Sequence, residues 1–147
     1  MRGIVVAAAV AIAILASGCG SDNLDSGELR SKVNAACSKA HQSLERIKDP
    51  KTADNVAAFL KAATAATAVF VADLKGLQPP ADLQQAYGLA VSVVSEELAA
   101  MQAATKRIAD GADPVVELRS VAQSTESLAG RERIAWQSVG ADSCSNR

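Results

Sequence analysis

Cys37 and His41 are four residues apart, which would place a thiol and an imidazole one turn apart on one face of a helix. Both groups bind Zn²⁺, but a tetrahedral zinc site needs three or four protein ligands. The chain has 1 histidine, and it contains neither a Cys-x-x-Cys nor a His-Glu-x-x-His sequence. We therefore expect no metal site and no cofactor.

Glu132 occupies a core-type position in the apolar stripe of the last predicted helix. In an antiparallel bundle with a rise of about 1.5 Å per residue, it lies near the level of Cys37 and close to His41, with Trp136 beside it. The sequence thus predicts a polar patch of His41, Glu132 and Trp136. Two interpretations stay open: an exposed ion pair at a helix seam, or part of a binding site for a small ligand or metal.

The remaining polar residues give no pattern typical of an enzyme. Glu96 and Glu97 are adjacent, so on a helix their side chains point about 100° apart. The serines lack the motif that pairs a nucleophile with a histidine, and the Glu-x-x-His pairs of di-iron bundles are missing from the sequence. We expect no catalytic residues and no enzymatic activity.

Length and charge exclude further classes of protein. The chain has 147 residues, of which 49% are hydrophobic and 3% aromatic, and this suits one small domain. The formal net charge is -1, and the basic residues are scattered along the chain. Since nucleic-acid binding needs a basic surface that neutralises phosphates, we expect no nucleic-acid partner.

The N-terminus has the layout of an export signal. Arg2 precedes an apolar stretch over residues 4–15, which is too short to cross about 30 Å of hydrocarbon comfortably. The next four residues, "ASGC", resemble the lipobox of bacterial lipoproteins and end at Cys19. The resemblance implies cleavage between Gly18 and Cys19, a diacylglyceryl group on the thiol, and an added acyl chain such as palmitate.

One position departs from the lipobox pattern. The residue three before the cysteine is usually leucine, and here it is Ala16, with Leu15 one place earlier. Cleavage by an ordinary signal peptidase, followed by secretion, therefore stays an alternative. The predicted organisation is a signal peptide over residues 1–18, a lipidated Cys19 with a polar tether to residue 27, and a folded domain over residues 28–147. A lipid anchor would hold this domain on the extracytoplasmic side of the cell membrane.

The mature chain contains four segments with helical periodicity and short connections. Consecutive helices should therefore lie antiparallel, which predicts an all-α, up-down-up-down four-helix bundle. A three-helix bundle with one long kinked helix is the alternative. The predicted segments are Leu29 to Ile47 after a cap at Asp25 or Ser26, Val56 to Leu77 after Thr52, Pro80 to Ile108, and Pro114 to Val139 between Asp113 and Gly140.

Cys37 and Cys144 remain as an even pair in an exported domain, where oxidising conditions favour a disulfide. The last predicted helix ends near the level at which the first begins. From Val139 an extended chain reaches about 16 Å, enough for Cys144 to return to the first helix. The sequence therefore predicts a bond between Cys37 and Cys144.

The "Leu-x-x-Leu-x-Pro-Pro" turn at residues 74–80, together with the N-terminal and C-terminal cysteine pair, resembles small helical lipoproteins and secreted proteins of actinobacteria. The resemblance implies a helical fold in the cell envelope and no particular activity. We expect a non-catalytic interaction or envelope-structural module with an unidentified envelope protein as partner. The alternative is a bundle that binds a small ligand or metal in a cavity lined by His41, Glu132 and Trp136.

Overall fold

The computed structural model describes residues 24–145. The predicted signal peptide, Gly18 and Cys19 lie outside this range. Four long helices and one short one make up the described part of the chain, which contains no strand. The prediction of an all-α four-helix bundle is confirmed. The helices are α1 (Ser26–Glu45), α2 (Ala53–Lys75), α3 (Gln84–Ala109), α4 (Pro114–Val139) and α5 (Asp142–Ser145).

Two contacts for each pair of successive long helices give the direction of the helices. In every pair, the contact that lies further along the first helix lies less far along the second, so consecutive helices are antiparallel. α1 packs against α2 and α5, while α4 packs against α3, α2 and α5. The contacts that give the directions are Leu24 with Gln78 and Lys39 with Asp73 for α1 and α2, Thr64 with Thr105 and Leu74 with Tyr87 for α2 and α3, and Glu96 with Arg131 and Arg107 with Glu117 for α3 and α4.

Two helices begin at the predicted caps. The Asp25 carboxylate accepts a hydrogen bond of 2.7 Å from the Glu28 N–H at the start of α1. The Asp113 carboxylate accepts bonds of 2.8 and 3.1 Å from the N–H groups of Val115 and Val116 at the start of α4. These bonds satisfy backbone donors that have no partner within the helix. Thr52 occupies the N-cap position of α2, although its side chain makes no capping hydrogen bond.

Two boundaries differ from the predicted ones. α3 begins at Gln84 rather than at Pro80, because the Leu83 N–H donates to the Pro80 carbonyl at 3.0 Å and closes a turn over these residues. The second boundary is the one between the tether and the folded domain. There the Leu24 N–H donates to the Gln78 carbonyl at 3.0 Å, and α1 begins at Ser26. Residues 24–27, assigned to the tether from sequence, therefore belong to the folded part.

The buried residues form two clusters, one toward each end of the bundle. The disulfide-end cluster combines the N-terminal part of α1 with the ends of α2, α3 and α4 that meet it. The far-end cluster is smaller, and α1 adds to it only the partly buried side chain of Leu44. The main members of the first are Leu29, Val33, Cys37, Leu74, Tyr87, Val94, Trp136, Val139 and Cys144, and those of the second are Val56, Leu60, Ala63, Met101, Ala104 and Val121.

Candidate functional site

A disulfide joins Cys37 of α1 to Cys144 of α5, as predicted. The two Cα atoms are 5.4 Å apart, the two residues are separated by 107 positions in sequence, and both side chains are buried. A second contact supports the same junction, since the Ser143 N–H donates to Asn34 Oδ1 at 3.0 Å. The C-terminal segment is thus fixed to the first helix.

Trp136 is wholly buried in the disulfide-end cluster, with an exposed fraction of 0%. Its indole N–H donates to Glu132 Oε1 at 3.2 Å, and its ring meets that of Tyr87 edge-on, with the centroids 6.3 Å apart. The Tyr87 hydroxyl donates to the Leu74 carbonyl at 2.6 Å, and burial raises the pKa of this phenol. The aromatic pair therefore links three helices, with every polar tip hydrogen-bonded.

The structure brings together two members of the predicted polar patch. Glu132 and Trp136 share the hydrogen bond described above, and His41 lies partly exposed on α1. The sequence placed Trp136 beside the patch; in the structure its ring is buried in the disulfide-end cluster, next to the ring of Tyr87.

No group of three or more His, Cys, Asp or Glu side chains in the described part of the chain is arranged to hold a metal ion. The Cys37 sulfur is committed to the disulfide. Among the described helices, α2 is long and apolar enough to cross a membrane by length and composition. A core helix of a soluble bundle meets the same criterion, and α2 contributes to both buried clusters.

The N-terminal half of α3 and the C-terminal half of α4 enclose an open groove of about 450 Å³, a size within the range of ligand and docking sites. We refer to it as the α3/α4 groove. Two large apolar side chains on its rims are unusually open to solvent, Leu89 at 59% and Ile134 at 64% exposure. The lining residues are Asp82, Gln85, Ala86, Leu89, Val93, Arg131, Ile134, Ala135 and Ser138.

Polar contacts mark both ends of the groove. At the end nearest the start of α1, the Ser26 hydroxyl donates to Asp82 Oδ2 at 3.1 Å. At the other end, the Arg131 guanidinium donates to both oxygens of Glu96, at 2.9 and 3.1 Å. These hydrogen bonds from Arg131 hold the pKa of the Glu96 carboxyl below its ordinary value. The middle of the groove is therefore apolar, and its ionic end is internally neutralised.

A second pair of arginine and glutamate lies at the turn between α3 and α4. Arg107 donates through Nε and Nη2 to Glu117 Oε2, at 2.9 and 2.6 Å. The Glu117 side chain is mostly buried, and the hydrogen bonds from Arg107 lower the pKa of its carboxyl. This pair holds the first turn of α4 against the last turn of α3, far from the α3/α4 groove.

Sequence reasoning missed the α3/α4 groove. Leu89 and Ile134 are apolar residues outside the apolar stripes of the third and fourth predicted helices. Their position was the only sign of the groove in the sequence. An isolated exposed apolar residue is ordinary on a protein surface. The two gain significance only because the antiparallel packing of α3 on α4 brings them to opposite rims of one groove.

Comparison of the chain with protein-family models, with curated proteins and with solved structures gives no match. The structure itself therefore defines the class: a four-helix bundle closed by a disulfide and carrying an exposed apolar groove between α3 and α4.

Proposed function

We propose that the mature protein is an extracytoplasmic lipoprotein, anchored to the cell membrane through Cys19, and that its bundle is a non-catalytic interaction module. The observation that carries this proposal is the buried Cys37–Cys144 disulfide. Structural disulfides persist in oxidising compartments and are rare in reducing ones. The disulfide therefore agrees with the export signal that precedes Cys19 in the sequence.

Anchoring also fits the place where the fold begins. Leu24 is hydrogen-bonded to the α2–α3 connection, and it lies only five positions after Cys19. Such a segment spans at most about 17 Å, so a lipid on Cys19 would keep the bundle close to the membrane surface. Stable anchoring of this kind requires two or more acyl chains, as the lipobox resemblance implies.

The α3/α4 groove supports the interaction role, because contiguous exposed apolar surface on a small domain is typical of binding surfaces. The alternative function, a small-ligand or metal-binding bundle, was predicted to use a cavity lined by His41, Glu132 and Trp136. The space beside Trp136 is occupied by its own core neighbours, Tyr87 among them. This filled interior is an argument against the alternative.

The test is the intact mass of the protein extracted from membranes, measured with and without a reductant under denaturing conditions. We expect cleavage before Cys19, added mass from a diacylglyceryl group and a further acyl chain, and a gain of two hydrogens on reduction. The matched control is Cys19→Ser, which should carry no lipid mass while keeping the disulfide.

A mature chain that begins at another residue, carries no lipid and is released into the medium would contradict anchoring and favour the secreted alternative. An envelope pull-down with the anchored protein tests the interaction role, and a bait that has been reduced and denatured is the control. Recovery of an envelope protein by the folded bait alone would support the role, while equal recovery by both baits would contradict it.

A further inference from the structure

We infer that the α3/α4 groove docks on the surface of the bilayer in which the protein is anchored. The inference rests on the proposed lipid anchor at Cys19 and adds an orientation: the bundle lies with the rims formed by Leu89 and Ile134 against the lipid. The occupant of the groove is thus the bilayer itself, whose fluid interface adapts to a concave apolar surface.

The first argument is the position of the groove relative to the anchor. Ser26, at the start of the fold, hydrogen-bonds to Asp82 at the mouth of the groove. The chain from Cys19 to Leu24 reaches at most about 17 Å. Leu89 is five residues into α3, or roughly 8 Å from the first residue of that helix. Both the anchor and the apolar rims therefore lie toward the same end of the bundle.

The second argument is effective concentration. A short tether turns docking into an intramolecular event, with an effective concentration of about millimolar. A surface whose affinity for the membrane is too low for binding from solution would then be docked most of the time. A soluble partner has no such advantage, so the anchor favours the bilayer over other occupants of the groove.

The third argument is the character of the surface. Leu89 and Ile134 are 59% and 64% exposed, and Ala86, Val93 and Ala135 line the groove between them. Arg131 is paired with Glu96, so the surface has no free basic cluster that would bind anionic headgroups. Docking should accordingly depend on apolar burial and be insensitive to salt.

The test uses the full chain, lipidated and reconstituted into phosphatidylcholine vesicles. Leu89→Cys and Ile134→Cys each introduce a free thiol, because Cys37 and Cys144 are bonded to each other and Cys19 carries the lipid in the proposed form. Each thiol is labelled with the fluorophore bimane, and quenching is measured with vesicles that contain brominated phosphatidylcholine. Val116→Cys is the matched control, since Val116 is 57% exposed but lies at the opposite end of α4.

We expect a shift of bimane emission to shorter wavelength at residues 89 and 134, and quenching by brominated lipid several-fold stronger than at residue 116. The quenching should persist when salt is raised to about 1 M, where the Debye length is about 3 Å. Native near-UV circular dichroism and an intact disulfide would show that each labelled variant is folded.

Equal quenching at all three positions, in protein that carries the lipid and floats with the vesicles, would overturn docking and leave the anchoring proposal intact. A wavelength shift without quenching would assign the groove to a second copy of the chain or to the anchor's own acyl chain, and would also overturn it. Loss of quenching in salt would refute the apolar mechanism. Protein without lipid that does not float would overturn anchoring and docking together.

Discussion

At the scale of single residues, Gly140 ends α4 in a conformation that other residues adopt only with strain. Its φ is 78° and ψ 34°, and a Cβ at this position would lie 2.8 Å from Arg30 Nε. That nitrogen donates to the Val139 carbonyl at 2.9 Å. We expect Gly140→Ala to lower the free energy of unfolding by about 1–2 kcal/mol from backbone strain alone. Urea denaturation measures this loss.

Gly130→Ala is the matched control, because Gly130 lies inside the same helix and an added Cβ there meets nothing within 4 Å. Replacing a helical glycine by alanine should raise the free energy of unfolding by about 1 kcal/mol. The two variants should therefore shift the urea midpoint in opposite directions. Equal shifts would show that neither the conformation of Gly140 nor its contact with Arg30 matters for stability.

Glu117 gives a prediction about pH. Hydrogen bonds from Arg107 lower the pKa of this carboxyl from its ordinary value of 4.5. A group with a depressed pKa in the folded state contributes stability above its unfolded pKa, and this contribution is lost as the pH falls through the folded value. We expect Glu117→Gln to lower Tm at pH 7, and the difference from the wild type to shrink as the pH falls below 4.5.

Asp110→Asn provides the comparison for Glu117, since Asp110 forms an ion pair with Lys106 in which both side chains are largely exposed. Exposed pairs of this kind contribute little to stability. Thermal melts of the two variants across the same pH range should show a clear effect for Glu117→Gln and almost none for Asp110→Asn. A Tm difference for Glu117→Gln that stayed constant with pH would argue against the ionised pair.

At the scale of elements, the disulfide is the main connection between α1 and the C-terminal segment. It closes a loop over 107 positions of sequence. We expect the double variant Cys37→Ala/Cys144→Ala to lose about 2–5 kcal/mol of the free energy of unfolding, the usual effect of removing a native disulfide. Guanidinium denaturation of the wild type with and without a reductant should reproduce the same loss.

The double variant also supplies the control for reduction. Adding the reductant to Cys37→Ala/Cys144→Ala should leave its unfolding curve unchanged, since it has no bond to break. If the oxidised wild type and the double variant unfolded at the same midpoint, the disulfide would not contribute to stability. In that case the packing of α5 on α1, with the bond from Ser143 to Asn34, would suffice to hold the C-terminus.

The helices show which features the sequence could predict. Local rules located the caps at Asp25 and Asp113 and the end of α4 at Gly140, because each depends on one residue and its immediate neighbours. The same rules placed the start of α3 at Pro80, which is four residues early. Burial of Leu83 and the turn it closes with Pro80 decided that boundary, and these depend on tertiary packing.

The site was harder to predict than the helices, for a geometric reason. Counting residues along antiparallel helices brought Cys37 near Cys144, and this pairing is confirmed. The same counting gave the height of each residue along the bundle, but it did not give the direction in which each side chain points around its helix. It therefore could not show that Trp136 points into the core or that Leu89 and Ile134 face one groove.

At the scale of the whole molecule, the two ends of the bundle differ in how firmly they hold α1. At the disulfide end, Leu29, Val33 and Cys37 are completely buried among residues of the other helices. Toward the far end, α1 contributes only partly buried side chains, of which Leu44 is one. Local stability follows buried apolar contact, so α1 should open from its C-terminal end.

Native-state hydrogen exchange tests this asymmetry. We expect backbone amides of residues 41–45 to exchange through local opening, and amides near Val33 and Cys37 to require global unfolding. Far-end amides near Met101 of α3 should stay protected, because that residue is buried in the far-end cluster. This comparison distinguishes local opening of α1 from a low stability of all helices at the far end.

The disulfide variant makes the same experiment more specific. Without the bond between Cys37 and Cys144, protection near Val33 should fall toward that of residues 41–45, while protection near Met101 should change only as much as global stability does. Uniform protection along α1 in the wild type would refute the asymmetry. Fraying is compatible with the proposed membrane orientation, because the disulfide, the start of α1 and the α3/α4 groove share the firmly packed end, and the end that opens is the opposite one.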